Sequence, residues 1–251
     1  MKLKGQHALV TGGGTGIGAA IARALAAEGA LITLVGRRQE TLEVACVGIG
    51  FFQVADVTDR AQVDRAVAGA RGAQGPISIL VNNAGAAQSA AFAKVSVAEW
   101  RAMMAVNLDG MFNCCQSALP DLLAAPNGRI VTVASTAGLK GYAYTSSYAA
   151  AKHGAVGLTR ALAAEFAATN LTVNAVCPGF TDTDLVTEAV ARIRDKTGRS
   201  EAEARAELAR FNPQGRLVTP AEVAAAVLWL SLPESQAMNG QAIAVAGGEI
   251  T

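Results

Sequence analysis

The stretch Thr11-Gly12-Gly13-Gly14-Thr15-Gly16-Ile17-Gly18 decides how the rest of this chain is read. An apolar run, His7-Ala8-Leu9-Val10, precedes it, and a helical pattern over 19–28 follows. Strand, glycine turn and helix in that order form a nucleotide cradle. Glycine lets the backbone turn tightly and approach a pyrophosphate, while the helix N-terminus offers unpaired N–H groups and a positive dipole end. The ordinary dinucleotide pattern G-x-G-x-x-G fits in no register. The spacing is T-G-x-x-x-G-x-G, at Thr11, Gly12, Gly16 and Gly18. A glycine cluster alone serves a plain turn as readily as a nucleotide, so a second constellation has to decide.

Working outward, Leu31-Ile32-Thr33-Leu34-Val35 is a β-branched apolar run of the kind found in buried parallel strands, and it ends at Gly36-Arg37-Arg38. A short polar helix leads to a strand over 51–54, closed by Asp56-Val57. Helical periodicity over 60–71 is broken by Gly75-Pro76, and a strand over 77–81 ends in Asn82-Asn83-Ala84-Gly85. Helices are expected over 97–103 and 106–123, and a strand over 128–133 runs toward Ser135. A long Ala-rich helix over 148–168 precedes a strand over 172–177, a helix over 221–232 and a last strand over 241–245. This alternation predicts a single α/β domain over 1–251, a Rossmann-type doubly wound parallel sheet of about seven strands with helices on both faces. The charged, helix-prone segment 180–216 interrupts the alternation, either as a solvated excursion or as a mobile substrate lid; we expect the lid.

Composition narrows the function classes. Of 251 residues, 51% are hydrophobic and 16% charged, so a large core can be buried. A net charge of +1 gives no reason to expect nucleic acid or a membrane surface as partner. No apolar run reaches the ~18 residues that a spanning helix needs. The four cysteines, Cys46, Cys114, Cys115 and Cys177, lack metal spacing, and no metal is expected. Reduced thiols, and an N-terminus that leads straight into a strand, point to a cytoplasmic protein.

The second constellation lies downstream. Tyr148 and Lys152 are four apart and share one helix face. A phenol of pKa ~10 is a poor acid–base group near neutrality, and a neighbouring ammonium would lower that value. Ser135, at a strand end, lies at the carboxyl edge where such sheets bind ligands, and can hydrogen-bond an oxygen that gains charge. Tyr142 and Tyr144 lie between Ser135 and Tyr148, in a loop that either walls a pocket or merely connects. His7 is expected to be structural, His153 to fall off the Tyr148–Lys152 face, and Trp100 and Trp229 to be core or subunit contacts.

Together these residues resemble the short-chain dehydrogenase/reductase family over essentially the whole chain. The motifs are Thr11-Gly12-xxx-Gly16-x-Gly18, Asn82-Asn83-Ala84-Gly85, Asn107, Ser135, Tyr148, Lys152, Pro178-Gly179 and Thr183. The resemblance implies NAD(P)-linked interconversion of an alcohol and a carbonyl, in a homotetramer. It makes Tyr148 the general acid–base and has Ser135 polarise the carbonyl. Lys152 tunes Tyr148 and binds the nicotinamide ribose, and Asn107 holds a relay water. Cofactor contacts would come from Gly12, Thr15, Gly16, Ile17, Gly18, Asp56, Val57, Asn83, Ala84, Gly85, Pro178, Gly179, Thr181 and Thr183, besides Tyr148 and Lys152. Substrate contacts would come from Ser135, Tyr142, Tyr144, Phe180 and Leu185. Two departures stand out: Ala246-Gly247-Gly248 where Asp-Gly-Gly is frequent, and Thr181 in place of an aliphatic residue.

At the end of the second strand an acidic side chain would bind the 2′-hydroxyl of NAD. Here Gly36 is followed by Arg37 and Arg38, which suit a 2′-phosphate, so NADP(H) is favoured over NAD(H). Around Asn174-Ala175-Val176-Cys177-Pro178-Gly179-Phe180 the chain is most similar to 3-oxoacyl thioester reductases and polyketide ketoreductases. The expected activity is reduction of a ketone or 3-oxoacyl thioester. The alternatives are NAD-linked oxidation of an alcohol or hydroxyacyl thioester, and a non-catalytic nucleotide sensor.

Overall fold

The computed structural model describes residues 1–250. Seven strands alternate with helices: β1 (His7–Thr11), β2 (Leu31–Gly36), β3 (Gly50–Val54), β4 (Ile79–Asn82), β5 (Arg129–Val133), β6 (Thr172–Pro178) and β7 (Ala242–Val245). All pair in parallel in the order β3-β2-β1-β4-β5-β6-β7. The chain winds outward from β1 to β3, then returns to lay β4 against the other side of β1. The crevice at such a reversal, beyond the carboxyl ends of the strands, is where open α/β sheets bind ligands.

The helices are α1 (Gly16–Ala27), α2 (Gln39–Cys46), α3 (Arg60–Gln74), α4 (Val97–Met104), α5 (Gly110–Ala124), α6 (Ser146–Glu165), α7 (Asp184–Thr197), α8 (Glu201–Ala209) and α9 (Pro220–Ser231). Local chemistry sets their ends. Ser96 with Glu99, Ser200 with Glu203 and Thr219 with Glu222 are capping boxes that start α4, α8 and α9. Gly198, at φ +70°, ends α7 in the left-handed conformation that glycine tolerates best.

Two apolar layers sandwich the sheet. Ile21 and Leu25 of α1, Leu42 of α2 and Val223 and Val227 of α9 pack on one face with Val10, Ile32 and Leu34. Val63 and Val67 of α3, Met111 and Leu122 of α5 and Ala155 of α6 pack on the other with Leu9, Leu80 and Ile130. A smaller cluster belongs to the α7–α8 pair: Val186, Val190, Ala204 and Leu208, with Phe180 and Ile193 packed against it. Segment 180–216 is therefore a helix pair with its own core.

Several boundaries differ from the expectations. The first helix starts at Gly16 rather than at position 19, so the glycine turn itself enters the helix. The fourth strand begins at Ile79, after the Gly75-Pro76 break, and the long helix spans Ser146–Glu165. Trp100 and Trp229 are 37% and 46% exposed, so neither is a core residue. Cys114, Cys115 and Cys177 are buried free thiols, while Cys46 is only half-buried.

Candidate active site

The glycine turn is built from backbone that side chains could not share. Gly12 has φ +63°, and a Cβ there would lie 2.8 Å from Asn83 Nδ2. A Cβ on Gly18 would run into the Gly12 carbonyl, so this glycine serves the approach of helix to turn. Asn83 Nδ2 donates to the carbonyls of Thr11 and Gly12 at 3.0 and 3.1 Å, and Thr11 Oγ1 accepts from the N–H groups of Asn83 and Ala84. The Asn83 amide nitrogen is thus committed to bracing the turn, while the residue itself still lines the cleft. Thr15 is the N-cap of α1, yet its side chain caps nothing. The first-turn N–H groups of α1 lie at an open cleft, as an anion site requires.

That cleft, of about 980 Å³, runs over the carboxyl edge of the sheet. Gly12, Thr15, Gly16 and Ile17 line one end, with Gly36, Arg37, Arg38, Asp56 and Val57 beside them. Arg37 and Arg38 are exposed, and Arg37 Nη1 lies 3.8 Å from Asp56 Oδ2. Asn83, Ala84 and Gly85 form the middle, and Pro178, Gly179, Thr181 and Thr183 the opposite wall. Thr181 is buried and donates its hydroxyl to the Gly179 carbonyl at 3.0 Å. A Cβ on Gly16 would lie 3.2 Å from Thr183 Cγ2, so the starts of α1 and α7 nearly meet across the cleft.

Ser135, Tyr148 and Lys152 face the same space. Ser135 follows β5 and caps a 3-10 turn, its Oγ accepting from Ala137 N–H at 3.1 Å. Tyr148 and Lys152 come one turn apart from α6, with Lys152 Nζ 5.7 Å from the Tyr148 ring centroid. Lys152 is buried and donates to the Val133 carbonyl at 3.1 Å. Burial pulls Lys152 down from 10.5 to about 8. Burial also pushes the Tyr148 phenol up, against the opposing pull of the Ser135 hydroxyl. Burial, rather than the neighbouring Lys152 as expected, sets the direction of the Tyr148 shift.

Asn107 sits in a π-turn, Ala105–Asp109, between α4 and α5. Its Nδ2 donates to the carbonyls of Ala86 and Met103, and its Oδ1 accepts from Ala86 N–H. A widened turn of this type is frequent at functional sites. His153 faces outward and His7 is buried between Gly75 O and Thr33 Oγ1, so neither joins the cleft.

Tyr142, Tyr144, Phe180 and Leu185 all line the far end. Tyr144 is exposed and held at φ +67°, a strained conformation for a bulky residue. Phe211 completes an aromatic cluster with Tyr142 and Phe180. Nothing in the sequence pattern singled it out, since it follows α8 in a charged stretch. Among the described residues no group of three His, Cys, Asp or Glu side chains could hold a metal, and no helix is long and apolar enough to cross a membrane.

A doubly wound sheet with a glycine cradle and a Ser–Tyr–Lys set at its carboxyl edge defines a nucleotide-dependent oxidoreductase. The chain belongs to the short chain dehydrogenase family, whose model matches residues 6–194. It is 41% identical over 249 residues to a granaticin polyketide synthase putative ketoacyl reductase from Streptomyces violaceoruber, covering 96% of this chain and 92% of that one. It is 39% identical to a D-beta-hydroxybutyrate dehydrogenase from Cupriavidus necator, covering 98% of each. The crystal structure of a Phe-to-Trp variant of actinorhodin polyketide ketoreductase with NADPH superposes with a TM-score of 0.94 at 35% identity, over 99% of this chain and 98% of that one.

Proposed function

We propose that this protein is an NADPH-dependent ketoreductase whose substrate is a 3-oxoacyl thioester or related ketone. The observation that carries this reading is geometric: Ser135, Tyr148 and Lys152 face the same cleft as the glycine cradle and the Arg37–Arg38 pair. The glycine cradle, the free α1 N-terminus and the Arg37–Arg38 pair fit NADPH, with the arginines toward its 2′-phosphate. When bound, NADPH supplies a hydride to the carbonyl carbon. Tyr148 would give its phenolic proton to the carbonyl oxygen while the Ser135 hydroxyl hydrogen-bonds the same atom. Lys152 would hold the nicotinamide ribose and steady the charge left on Tyr148. Asn107, at the π-turn, would hold the water that returns the proton. Asp56, Val57, Ala84 and Gly85 would flank the adenosine half, and Pro178 to Thr183 the nicotinamide. Similarity to relatives named as ketoacyl reductases supports the thioester.

The hydroxybutyrate dehydrogenase relative favours a second reading, NAD-linked oxidation of a hydroxy acid. Steady-state assays with NADPH and NADH on a ketone panel, and with NADP and NAD on the matching alcohols, separate the two. NADPH-linked ketone reduction is expected to be fastest near pH 7; faster NAD-linked oxidation there would reverse the assignment. We read the α7–α8 pair as a lid, since it closes the substrate end and carries its own small core. We read the assembly as a cytoplasmic homotetramer; the exposed Val97, Trp100 and Phe112 on α4 and α5 supply apolar surface for subunit contacts. Sedimentation equilibrium tests the mass.

A further inference from the structure

The substrate end of the cleft is walled by rings from three separate connections. Tyr142 lies between β5 and α6, Phe180 follows β6, and Phe211 follows α8. Their centroids are 6.2 Å apart for Tyr142–Phe180, 5.7 Å for Tyr142–Phe211 and 5.3 Å for Phe180–Phe211. Two of the pairs meet edge-on and Phe180–Phe211 is tilted; such aromatic pairs are worth about 0.5–1.5 kcal/mol each, too little to fix three loops on their own.

Behind them lies Glu249, in the segment after β7, with a side chain 2% exposed. Its Oε1 accepts from the Tyr142 hydroxyl and lies 3.1 Å from Lys140 Nζ. The Lys140 ammonium also sits 5.0 Å from the Tyr142 ring centroid. Thr136, the neighbour of Ser135, is 2.6 Å from the Tyr142 oxygen. A phenol carries one proton and the carboxylate takes it, so the Thr136 hydroxyl donates to Tyr142. Among the described residues, Glu249 Oε2 is buried without a hydrogen-bond partner, as is Asn212 Nδ2 beside Phe211. A Cβ on Gly179 would lie 3.0 Å from that Oε2, which places the carboxylate directly under the Pro178–Phe180 wall. A carboxylate buried with one oxygen unmatched costs stability that an apolar side chain would not. Its useful return is geometric.

We infer that Glu249 is a positioning residue for the substrate: it holds Tyr142, and through it the Phe180–Phe211 wall. The cleft so shaped selects ketones whose group beyond the carbonyl is flat and apolar enough to lie on aromatic edges. This rests on the reading of the cleft as a ketone-reducing site.

The test compares wild type, Glu249→Ala, Tyr142→Phe and the double variant on a bulky aryl ketone and a small aliphatic ketone, with NADPH binding measured by fluorescence. Glu249→Ala should raise KM for the aryl ketone about tenfold or more, the size of one charge-assisted hydrogen bond. Its kcat, the small-ketone KM and the NADPH dissociation constant should stay within about twofold, the pattern of a lost substrate contact surface. In the Glu249→Ala background, Tyr142→Phe should add nothing. Glu249→Gln keeps the shape and an acceptor oxygen, so it folds where Ala fails to, and should show the same KM split at smaller size. Equal losses on both ketones and on NADPH, an unchanged KM ratio, or additive effects would overturn the inference while leaving the ketoreductase reading intact. A wild type that reduces neither ketone nor a 3-oxoacyl thioester with NADPH would overturn that reading, and this inference with it.

Discussion

Tyr148 and Lys152 sit in surroundings that move both away from their charged forms. Burial holds the phenol protonated and leaves Lys152 with a value of about 8. Tyr148→Phe removes the proposed proton donor and keeps the ring, so kcat should fall by the ~10²–10⁴-fold typical of acid–base catalysis while NADPH affinity holds; turnover at the wild-type rate would contradict the assignment. Lys152 carries a stability cost as well. Its folded value lies below the unfolded 10.5, so the penalty is full below pH 8 and fades as pH rises to 10.5. From that shift the penalty is on the order of 3 kcal/mol. Lys152→Met should therefore melt several degrees higher at pH 7, by an amount that shrinks above pH 8, while losing activity. Thermal melts across that range check the sign. At this scale Ser135, Tyr148 and Lys152 were legible in the sequence because their spacing is local or tied to strand ends. The bracing role of the Asn83 amide was not, because a motif position does not reveal which way an amide is turned. Phe211 and Glu249 were invisible, since only the folded chain brings them beside Tyr142.

Elements are legible in the sequence where periodicity is long and less so where glycine is dense. The run Gly16-Ile17-Gly18 looks like turn in a pattern of apolar spacing, yet it forms the first turn of α1. Propensity penalises glycine there, and tertiary packing against Gly12 and Asn83 overrides it. The α7–α8 pair shows the opposite case: its place at the opening of the crevice suggests a lid, its polarity hides any core, and only the structure reveals the cluster around Val190 and Leu208. Leu208 is 7% exposed and also lines the cleft. Leu208→Ala should loosen the pair, at about 2–5 kcal/mol for a core leucine. If the pair serves the substrate, KM for ketones should rise while the NADPH dissociation constant stays put. An equal change in both, read by steady-state kinetics and fluorescence titration, would return the pair to a plain surface role.

Across the whole molecule, the seven-stranded order follows from the strict alternation of strand and helix, and the reversal between β1 and β4 locates the cleft. At the opposite, amino edge of the sheet, His7 joins elements distant in sequence, with its ring between Gly75 O and Thr33 Oγ1 at 2.8 and 2.9 Å. Burial lowers its value below 6.5, so the fold holds it neutral. The unfolded chain takes up that proton first; the contribution is full above pH 6.5 and is lost as pH falls toward the folded value. Denaturant midpoints should therefore decline below pH 6.5, and His7→Gln should flatten that decline; an unchanged slope would exclude His7 as its source.

The central claim, reduction with NADPH, rests on Gly36, Arg37 and Arg38 at one end of the cleft and Tyr148 at the other. A Cβ at Gly36 would meet Leu42 at an ordinary 3.4 Å, so the backbone there does not require glycine for want of space at Cβ. The measurement is kcat/KM for ketone reduction with NADPH and with NADH, on the parent and on Arg37→Ala. The parent should prefer NADPH, and Arg37→Ala should lose roughly 10- to 150-fold with NADPH, the equivalent of one hydrogen bond between charged groups, while NADH is nearly untouched. A parent that prefers NADH, or an equal loss with both cofactors, would contradict the account.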